Sequence, residues 1–226
     1  MVIAASYGND PALFALDIHT GTLKWRRRGR GSVGLLQTMA SDGNLIGAGS
    51  TVDSALVCFE SSTGKPKWNF GRIGYYDHPT LVGGVVYVNQ VFDLSAINVA
   101  TGRLVWKYAT PSANFYPSTS FVIDNGLAYA IDGGGILYAL DSINGARRWS
   151  YPAVNRDASP TLAGDGLYVL GATAGSTSPS KELFVLNPST GVLRVTIPLT
   201  AAPPTTRVTA FINGKAYYPG ALSLYQ

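Results

Sequence analysis

The stretch Ala15-Leu16-Asp17-Ile18-His19-Thr20-Gly21-Thr22-Leu23-Lys24-Trp25 decides the fold, because it recurs. Cys58-Phe59-Glu60-Ser61-Ser62-Thr63-Gly64-Lys65-Pro66-Lys67-Trp68 is a second copy. Residues 96–106 are a third and 139–149 a fourth. Residues 185–195 are a fifth, with Val195 where the others carry tryptophan. The marker glycines Gly21, Gly64, Gly102, Gly145 and Gly191 are separated by 43, 38, 43 and 46 residues. Self-similarity at this period signals an array of small units, each too small to bury its own apolar face.

Each copy has a local mechanical reading. Leu13-Phe14-Ala15-Leu16 is an apolar run of strand length, half buried by its alternation. Asp-x-x-Thr-Gly then makes a tight turn. The Asp or Asn oxygen accepts backbone N–H groups just ahead of it, and Gly tolerates positive φ. Leu23-Lys24-Trp25 returns antiparallel, and the tryptophan is placed to cap the hairpin against a neighbour. Outside the copies lie further hairpins. Pro79–Val82 leads through Gly83-Gly84 to 85–88, 118–123 through Asn125-Gly126 to 127–130, and 160–163 through Asp165-Gly166 to 167–170. Dipeptides of this kind favour two-residue hairpin turns. A full unit is therefore four antiparallel strands, the size of one propeller blade.

The pattern Ala-x-Asp-x-x-Thr-Gly-x-x-x-Trp resembles the repeat of the quinoprotein-type (PQQ-like) β-propeller family. Ala15, Asp17, Thr20, Gly21 and Trp25 match it at every fixed position. The fourth copy carries Asn144 for Thr, the second and third carry Glu60 and Asn98 at the acidic position, and the fifth keeps Asn187, Thr190 and Gly191. The resemblance implies an all-β fold: a β-propeller of four-stranded antiparallel blades, about five to six of them, with incomplete end blades. Residues 1–226 are read as one such domain, or as part of a larger propeller. The first unit, with strands at 2–6, 12–17 and 22–27, lacks its innermost strand. The last ends on 221–225, which matches a third strand, for 22 strands in all. A small ring with an imperfect seam, an arc of a larger ring, and two chains completing one another all satisfy that count. An open edge invites pairing, so Val2–Ser6 or Leu222–Tyr225 is expected to pair outside the simple repeat.

Composition narrows the function classes. Apolar residues make up 46% and charged residues 13%, which supports a large core and excludes a disordered chain. No apolar run is long enough for a membrane-spanning helix. Met1–Ser6 reads as a strand and is too short for a signal peptide; the chain is either cytosolic or has lost a targeting segment, and a periplasmic or extracellular site is the expectation. Cys58 is the single cysteine, so no intrachain disulfide forms, and its apolar strand makes it a buried, inert thiol. The net charge of +4 is too modest to argue for nucleic acid.

The Asp-x-x-Thr-Gly turns lie at one end of every blade. The other end collects the links between blades and the loops between second and third strands, including 132–135, and ligand sites favour such loops. Gathered there are Arg72, Tyr75, Tyr76, Asp77, His78, Asn114, Phe115, Tyr116, Asn155, Arg156 and Asp157. Aromatic rings beside Arg and Asp suit a protein anchor or a sugar; the plainer reading is that the tyrosines fill gaps between blades. Asp77 and His78 form a possible acid–base pair, although Tyr116 and Ser159 take the place of His78 in other repeats, which favours a structural role. Arg26, Arg28 and Arg30 form a basic patch on an outermost strand. It is either a solvated edge that discourages stray pairing or a docking surface for acidic protein, phosphate or nucleic acid, the last disfavoured because no base-stacking aromatics are interleaved with the arginines.

Two widely separated histidines and one cysteine give no metal-ligand spacing, and Asp17, Asp141 and Asn187 read as turn-formers. Catalytic members of the resembled family carry pyrroloquinoline quinone and a metal ion. Their adjacent cysteine pair cannot exist in this chain, and no convincing carboxylate set for the metal is apparent. The sequence is closer to non-catalytic members such as outer-membrane assembly lipoproteins. The reading is a non-enzymatic propeller scaffold without a cofactor, binding a protein or cell-surface component, with another chain able to complete its end blades. The alternatives are a fragment of a quinone-dependent oxidoreductase and a carbohydrate-binding or adhesive module. Trp25, Trp68, Trp106 and Trp149 are expected to be largely buried at blade junctions, each worth about 3–5 kcal/mol against alanine.

Overall fold

The computed structural model describes residues 2–6, 12–28, 35–41, 44–49, 55–72, 79–90, 93–111, 121–152, 154–156, 158–172, 179–199, 210–212 and 215–217. Among them are 21 strands and no helix. The first sheet is β1 (Val2–Ser6), β2 (Ala12–Leu16) and β3 (Leu23–Arg28). The second is β4 (Leu35–Ser41), β5 (Asn44–Gly49), β6 (Ala55–Glu60) and β7 (Pro66–Arg72). The third comprises β8 (Thr80–Val82), β9 (Val85–Asn89), β10 (Asp93–Asn98) and β11 (Leu104–Ala109). The fourth is β12 (Val122–Asp124), β13 (Leu127–Ile131), β14 (Leu137–Asp141) and β15 (Arg147–Tyr151). The fifth is β16 (Thr161–Ala163), β17 (Gly166–Ala172), β18 (Pro179–Leu186) and β19 (Leu193–Pro198). The pair β20 (Ala210–Ile212) and β21 (Lys215–Tyr217) follows. Strands are hydrogen-bonded in chain order within every sheet, as in a β-propeller blade.

The expected 22nd strand, at 221–225, lies outside the described residues. At the other terminus β1 pairs with β2 in simple antiparallel register, Val2 opposite Leu16 and Ser6 opposite Ala12, and it has no second partner strand among the described residues.

Local chemistry explains the turns. Gly83-Gly84 and Asn125-Gly126 have positive φ at both positions (57° and 75°, 45° and 77°), the type I′ pattern that matches strand twist. The third hairpin turns one residue earlier than the sequence suggests. Ala163 pairs with Gly166, so Gly164-Asp165 is the turn, and only Gly164 has positive φ (58°). That is a type II′ turn, in which Gly belongs at the first central position.

The outer strands share one irregularity. Trp25 pairs with Ala15 but Leu23 with Leu16, leaving Lys24 bulged. The same shift bulges Lys67, Arg148 and Arg194. A bulge bends its strand and raises the twist, which re-aims the residue that follows: Trp25, Trp68, Trp149 or Val195. The bulged cation itself stays at the surface. Lys24 Nζ lies 3.1 Å from Asp17 Oδ2 and Arg148 Nη2 2.7 Å from Asp141 Oδ2.

The chain divides into two compact units, Met1–Gln90 with Ser95–Val105, and Val91–Leu94 with Trp106–Gln226. In the first, Leu56, Cys58, Val86, Val88, Ile97 and Val99 are buried together, with Trp68, Phe70 and Leu81 packed against them. Cys58 is fully buried, and desolvation pushes its thiol up, away from the reactive thiolate. The second unit has a larger core between its fourth and fifth sheets, in which Ile131, Leu137, Ala139, Leu167, Val169 and Leu170 are wholly buried. Middle strands such as β14 are buried on both faces and outer ones such as β15 on one.

Candidate functional site

The repeat turns come first, because they hold the blades that carry the loops. Asp17 Oδ1 accepts the N–H groups of His19 (2.9 Å) and Thr20 (3.1 Å), while Gly21 N–H donates to Asp17 O (2.9 Å). Asp141 does the same with Ile143 and Asn144, and Asn187 with Ser189 and Thr190. Asn98 accepts from both the N–H and hydroxyl of Thr101, and Glu60 from the hydroxyl of Thr63. The backbone N–H of His19, then Lys24, holds the Asp17 carboxyl well below the usual range, and Arg148 chiefly does so for Asp141. The Thr of the pattern closes the turn: its Oγ1 accepts the N–H two residues on, at 3.2–3.4 Å, in copies one, two, three and five. In the fourth, Asn144 Oδ1 accepts from Ala146 at 2.9 Å, so the exception to the pattern keeps its chemistry.

Each tryptophan reaches the turn of the next repeat. Trp25 Nε1 donates to Ser61 O, Trp68 to Val99 O, Trp106 to Ser142 O and Trp149 to Pro188 O, at 2.8–2.9 Å. Every acceptor is the residue following the Asp, Asn or Glu of that turn. The indole face lies on that turn's glycine. A Cβ on Gly64, Gly102, Gly145 or Gly191 would come within 2.6–2.8 Å of the ring. The marker glycine is thus demanded twice, by its φ of 68–73° and by the ring. Only Trp106 is buried, at 5%; Trp25, Trp68 and Trp149 are half-buried. All four sit on outer strands with the indole face over glycine, and in Trp25, Trp68 and Trp149 the remainder of the ring meets solvent. Tyr129 shares the Trp149 acceptor, its hydroxyl 3.2 Å from Pro188 O, and burial pushes its pKa up to about 12.

On β3, Trp25 and Arg27 face the next repeat, where Arg27 Nε donates to Gly64 O at 2.5 Å. Arg26 and Arg28 point outward and are exposed, with the Arg26 guanidinium 5.4 Å from the Phe14 ring centre. Arg30 lies outside the described residues.

At the opposite end of the fourth sheet, β13 passes to β14 through Asp132–Ile136. Asp132 is 1% exposed, and both its oxygens are used: Oδ1 accepts from the N–H groups of Gly134 (3.0 Å) and Ile136 (2.9 Å), Oδ2 from the Tyr138 hydroxyl (3.0 Å). Burial, then the Asp132 charge, raises the Tyr138 pKa far above the usual phenol value, so Tyr138 remains a neutral donor. Its ring is 5.4 Å from that of Tyr108.

The link between the fourth and fifth sheets is pinned to this loop. Val154 N–H donates to Gly135 O (3.1 Å), Asn155 N–H to Leu170 O (2.9 Å), and Ala158 N–H to Asn155 O (3.0 Å). Gly135 has φ +77°, and a Cβ there would strike Val154 O at 2.5 Å. Asn155 is buried, and half-buried Arg156 follows it on a backbone fixed from both sides. Of the residues singled out at this end, Arg72 ends β7, and Asn155 and Arg156 are placed as above. Tyr75, Tyr76, Asp77, His78, Asn114, Phe115, Tyr116 and Asp157 lie outside the described residues. Sequence reasoning passed over Asp132, whose signal was an Asp followed by three glycines, and Arg27, whose signal was its place two residues after Trp25.

Among the described residues, no three His, Cys, Asp or Glu side chains converge as a metal site. With Cys58 the single cysteine, the adjacent cysteine pair of the catalytic members has no counterpart in this sequence. No helix among the described residues is long and apolar enough to cross a membrane.

Antiparallel sheets of chain-ordered strands, four of them four-stranded, with a glycine-marked turn in each of five repeats and a tryptophan in four of them, define a β-propeller of PQQ-like repeats. The family model described as outer membrane protein assembly factor BamB matches residues 13–156, well over half of the sequence, and the chain belongs to that family. No curated protein matches the sequence significantly. Among solved structures, BamB from Moraxella catarrhalis is similar with TM-score 0.64 and 20% identity, covering 95% of this chain and 68% of that one. A europium-containing methanol dehydrogenase is similar with TM-score 0.62 and 14% identity, over 91% of this chain and 51% of that one. The quinohemoprotein alcohol dehydrogenase ADHIIG from Pseudomonas putida HK5 follows, with TM-score 0.62 and 15% identity, over 88% and 41%. At these identities the likeness shows the fold. The chain spans about two thirds of the BamB structure and about half or less of the two dehydrogenases.

Proposed function

We propose that the protein is a non-enzymatic propeller scaffold that binds a protein partner through its loop ends, in the assembly of outer membrane proteins and hence outside the cytoplasm. Residues 1–226 then act as one domain. The family description supports the assembly role. The single observation that carries the binding mode is the bonded platform of Asp132–Ile136 and Val154–Ala158. Both Asp132 oxygens are bonded, one to two backbone N–H groups of its loop and the other to the Tyr138 hydroxyl, which makes the residue a brace. A platform fixed before binding loses little conformational entropy on association, and Arg156 stands on it as a charged anchor. Arg72, Tyr75, Tyr76, Asp77, His78, Phe115, Tyr116 and Asp157 are proposed as the rest of the surface.

The test is surface plasmon resonance of the native chain and of Arg156→Glu against the purified outer-membrane assembly machinery of the source organism. The native chain should bind, and the variant should bind about tenfold more weakly, as loss of an anchoring charge requires, with an unchanged melting temperature. Failure of the native chain to bind would remove the assembly role. The dehydrogenase structures favour a second reading, a fragment of a quinone-dependent oxidoreductase. Dye reduction with alcohol or sugar substrates, quinone and calcium, lost on mutating Asp77 or Asp157, would establish it; no turnover is expected. Glycan-array binding would instead support a carbohydrate-binding module.

A further inference from the structure

The turn ends of the two units differ in charge. In the first unit the residues after the marker glycines are 22–24, 65–67 and 103–105, and all of them are exposed. They hold Lys24, Lys65, Lys67 and Arg103, then Leu23, Pro66, Leu104 and Val105, and no carboxylate. The exposure is not that of a chain end, because the second and third repeats have further repeats on both sides in the sequence. The carboxylates of these turns are Asp17 and Glu60, both half-buried and bonded within them, and the third turn carries Asn98 instead. The third repeat is the most one-sided. Val82 is 42% exposed, Leu104 46% and Val105 44%, and exposed Arg103 directly precedes the last two. Val99 N–H donates to Gly84 O (2.9 Å), which brings the hairpin at 82–85 to the turn before Arg103, and neither turn contains Asp or Glu. In the second unit the corresponding cations Arg147, Arg148 and Arg194 are matched by Asp124, Asp141 and Asp165 in the turns, and Arg148 and Arg194 pair with two of these at 2.7 Å.

We infer that the turn end of the first unit docks on an anionic phospholipid surface, with Val82, Leu104 and Val105 entering the headgroup boundary and Lys65, Lys67 and Arg103 meeting lipid phosphates. Aliphatic side chains framed by Lys and Arg suit such an interface. The apolar groups leave water, while the long cationic stems lie along them and carry their charges to the phosphates. Each cation near an anionic leaflet adds to the attraction. A protein partner fits these residues less well, because protein interfaces are enriched in aromatic residues and depleted in Lys, and no aromatic residue stands at these positions. Nucleic acid would lack a stacking platform for the same reason. The surface lies opposite the loop ends of the proposed function, so either site can fail without the other.

The probes are vesicles of phosphatidylcholine alone and of phosphatidylcholine with phosphatidylglycerol, sedimented with the native full chain. The chain should sediment with the anionic vesicles only, and rising salt should release it. Lys65→Gln with Arg103→Gln should weaken binding roughly tenfold to thirtyfold, the effect of two cations at an anionic surface. Leu104→Ser with Val105→Ser should weaken it about tenfold, a loss that purely ionic adsorption would not show. Arg147→Gln, at an exposed cation of the second unit, should bind like the native chain. Every substituted residue is exposed, so melting temperatures should stay unchanged. Equal binding to neutral vesicles, no binding to anionic ones, native affinity in either double variant, or as large a loss in Arg147→Gln would each overturn the inference. Binding to polyglutamate with none to vesicles would assign the cations to an acidic protein and overturn it as well.

Discussion

Replacing Gly145 by alanine separates two demands that the structure places on one atom. Gly145 has φ +73°, and the left-handed region costs a non-glycine residue about 1–2 kcal/mol. The new Cβ would also stand 2.8 Å from Cδ2 and Cε3 of Trp106, so the ring must move. Trp106 is 5% exposed and its Nε1 donates to Ser142 O at 2.9 Å. Lifting the indole exposes apolar surface and loses a hydrogen bond worth about 1 kcal/mol. Partial loss of a packed tryptophan adds about 2–3 kcal/mol, below the roughly 3–5 kcal/mol of complete truncation. Gly145→Ala should therefore destabilise by about 4–6 kcal/mol, the sum of these three contributions. Gly21→Ala carries only the backbone cost, about 1–2 kcal/mol, since nothing lies within 4 Å of its new methyl group. Equilibrium urea denaturation followed by tryptophan fluorescence measures both. The pair Gly145→Ala with Trp106→Ala should be strongly sub-additive, because the second change removes the clash. Equal losses for Gly145→Ala and Gly21→Ala would refute the reasoning, since the ring would then have no part in the glycine's role.

Asn144→Thr should change stability by less than about 0.5 kcal/mol in urea melts, because Thr supplies the same acceptor in four other copies, whereas Asn144→Ala should cost about 1 kcal/mol. Folding raises the pKa of Tyr129 to about 12 and that of Tyr138 further. The unfolded chain therefore loses these protons first, and stability is intact below about pH 10 and falls as pH rises toward 12. Tyr129→Phe should flatten that alkaline decline in melts between pH 9 and 12, after an allowance for the hydroxyl's bond to Pro188. At the acid end, the Asp17 and Asp141 carboxyls are held below the usual carboxylate range, so their contribution is present above about pH 4 and disappears as pH falls through the depressed values. The double variant Asp17→Asn with Asp141→Asn should lose less stability than the native chain between pH 5 and pH 2, because Asn, as at Asn187, accepts the same turn bonds without titrating.

The hairpins were legible in the sequence because their chemistry is local. The Asp17 and Asp141 caps and the Thr20 and Asn144 closures bridge residues two or three apart, so each motif carries its own turn. Glycine at the fixed position marked positive φ, and apolar alternation marked the strands around it. Five such units in tandem named the propeller before any coordinate did. What the tryptophans do was settled only by tertiary structure, since their acceptors lie 31–39 residues away and turn position alone does not say which neighbour a ring meets. The bulge that aims Trp25, Trp68 and Trp149 left no trace in spacing, because it depends on how two strands pair. The Asp132 brace was hidden for a related reason: its turn bonds are local, but its importance comes from the link at Val154–Asn155 that packs on the same loop. The difference between exposed Gly21 and buried Gly64 is likewise beyond the sequence, where both carry the same motif; only the packing around them separates the two.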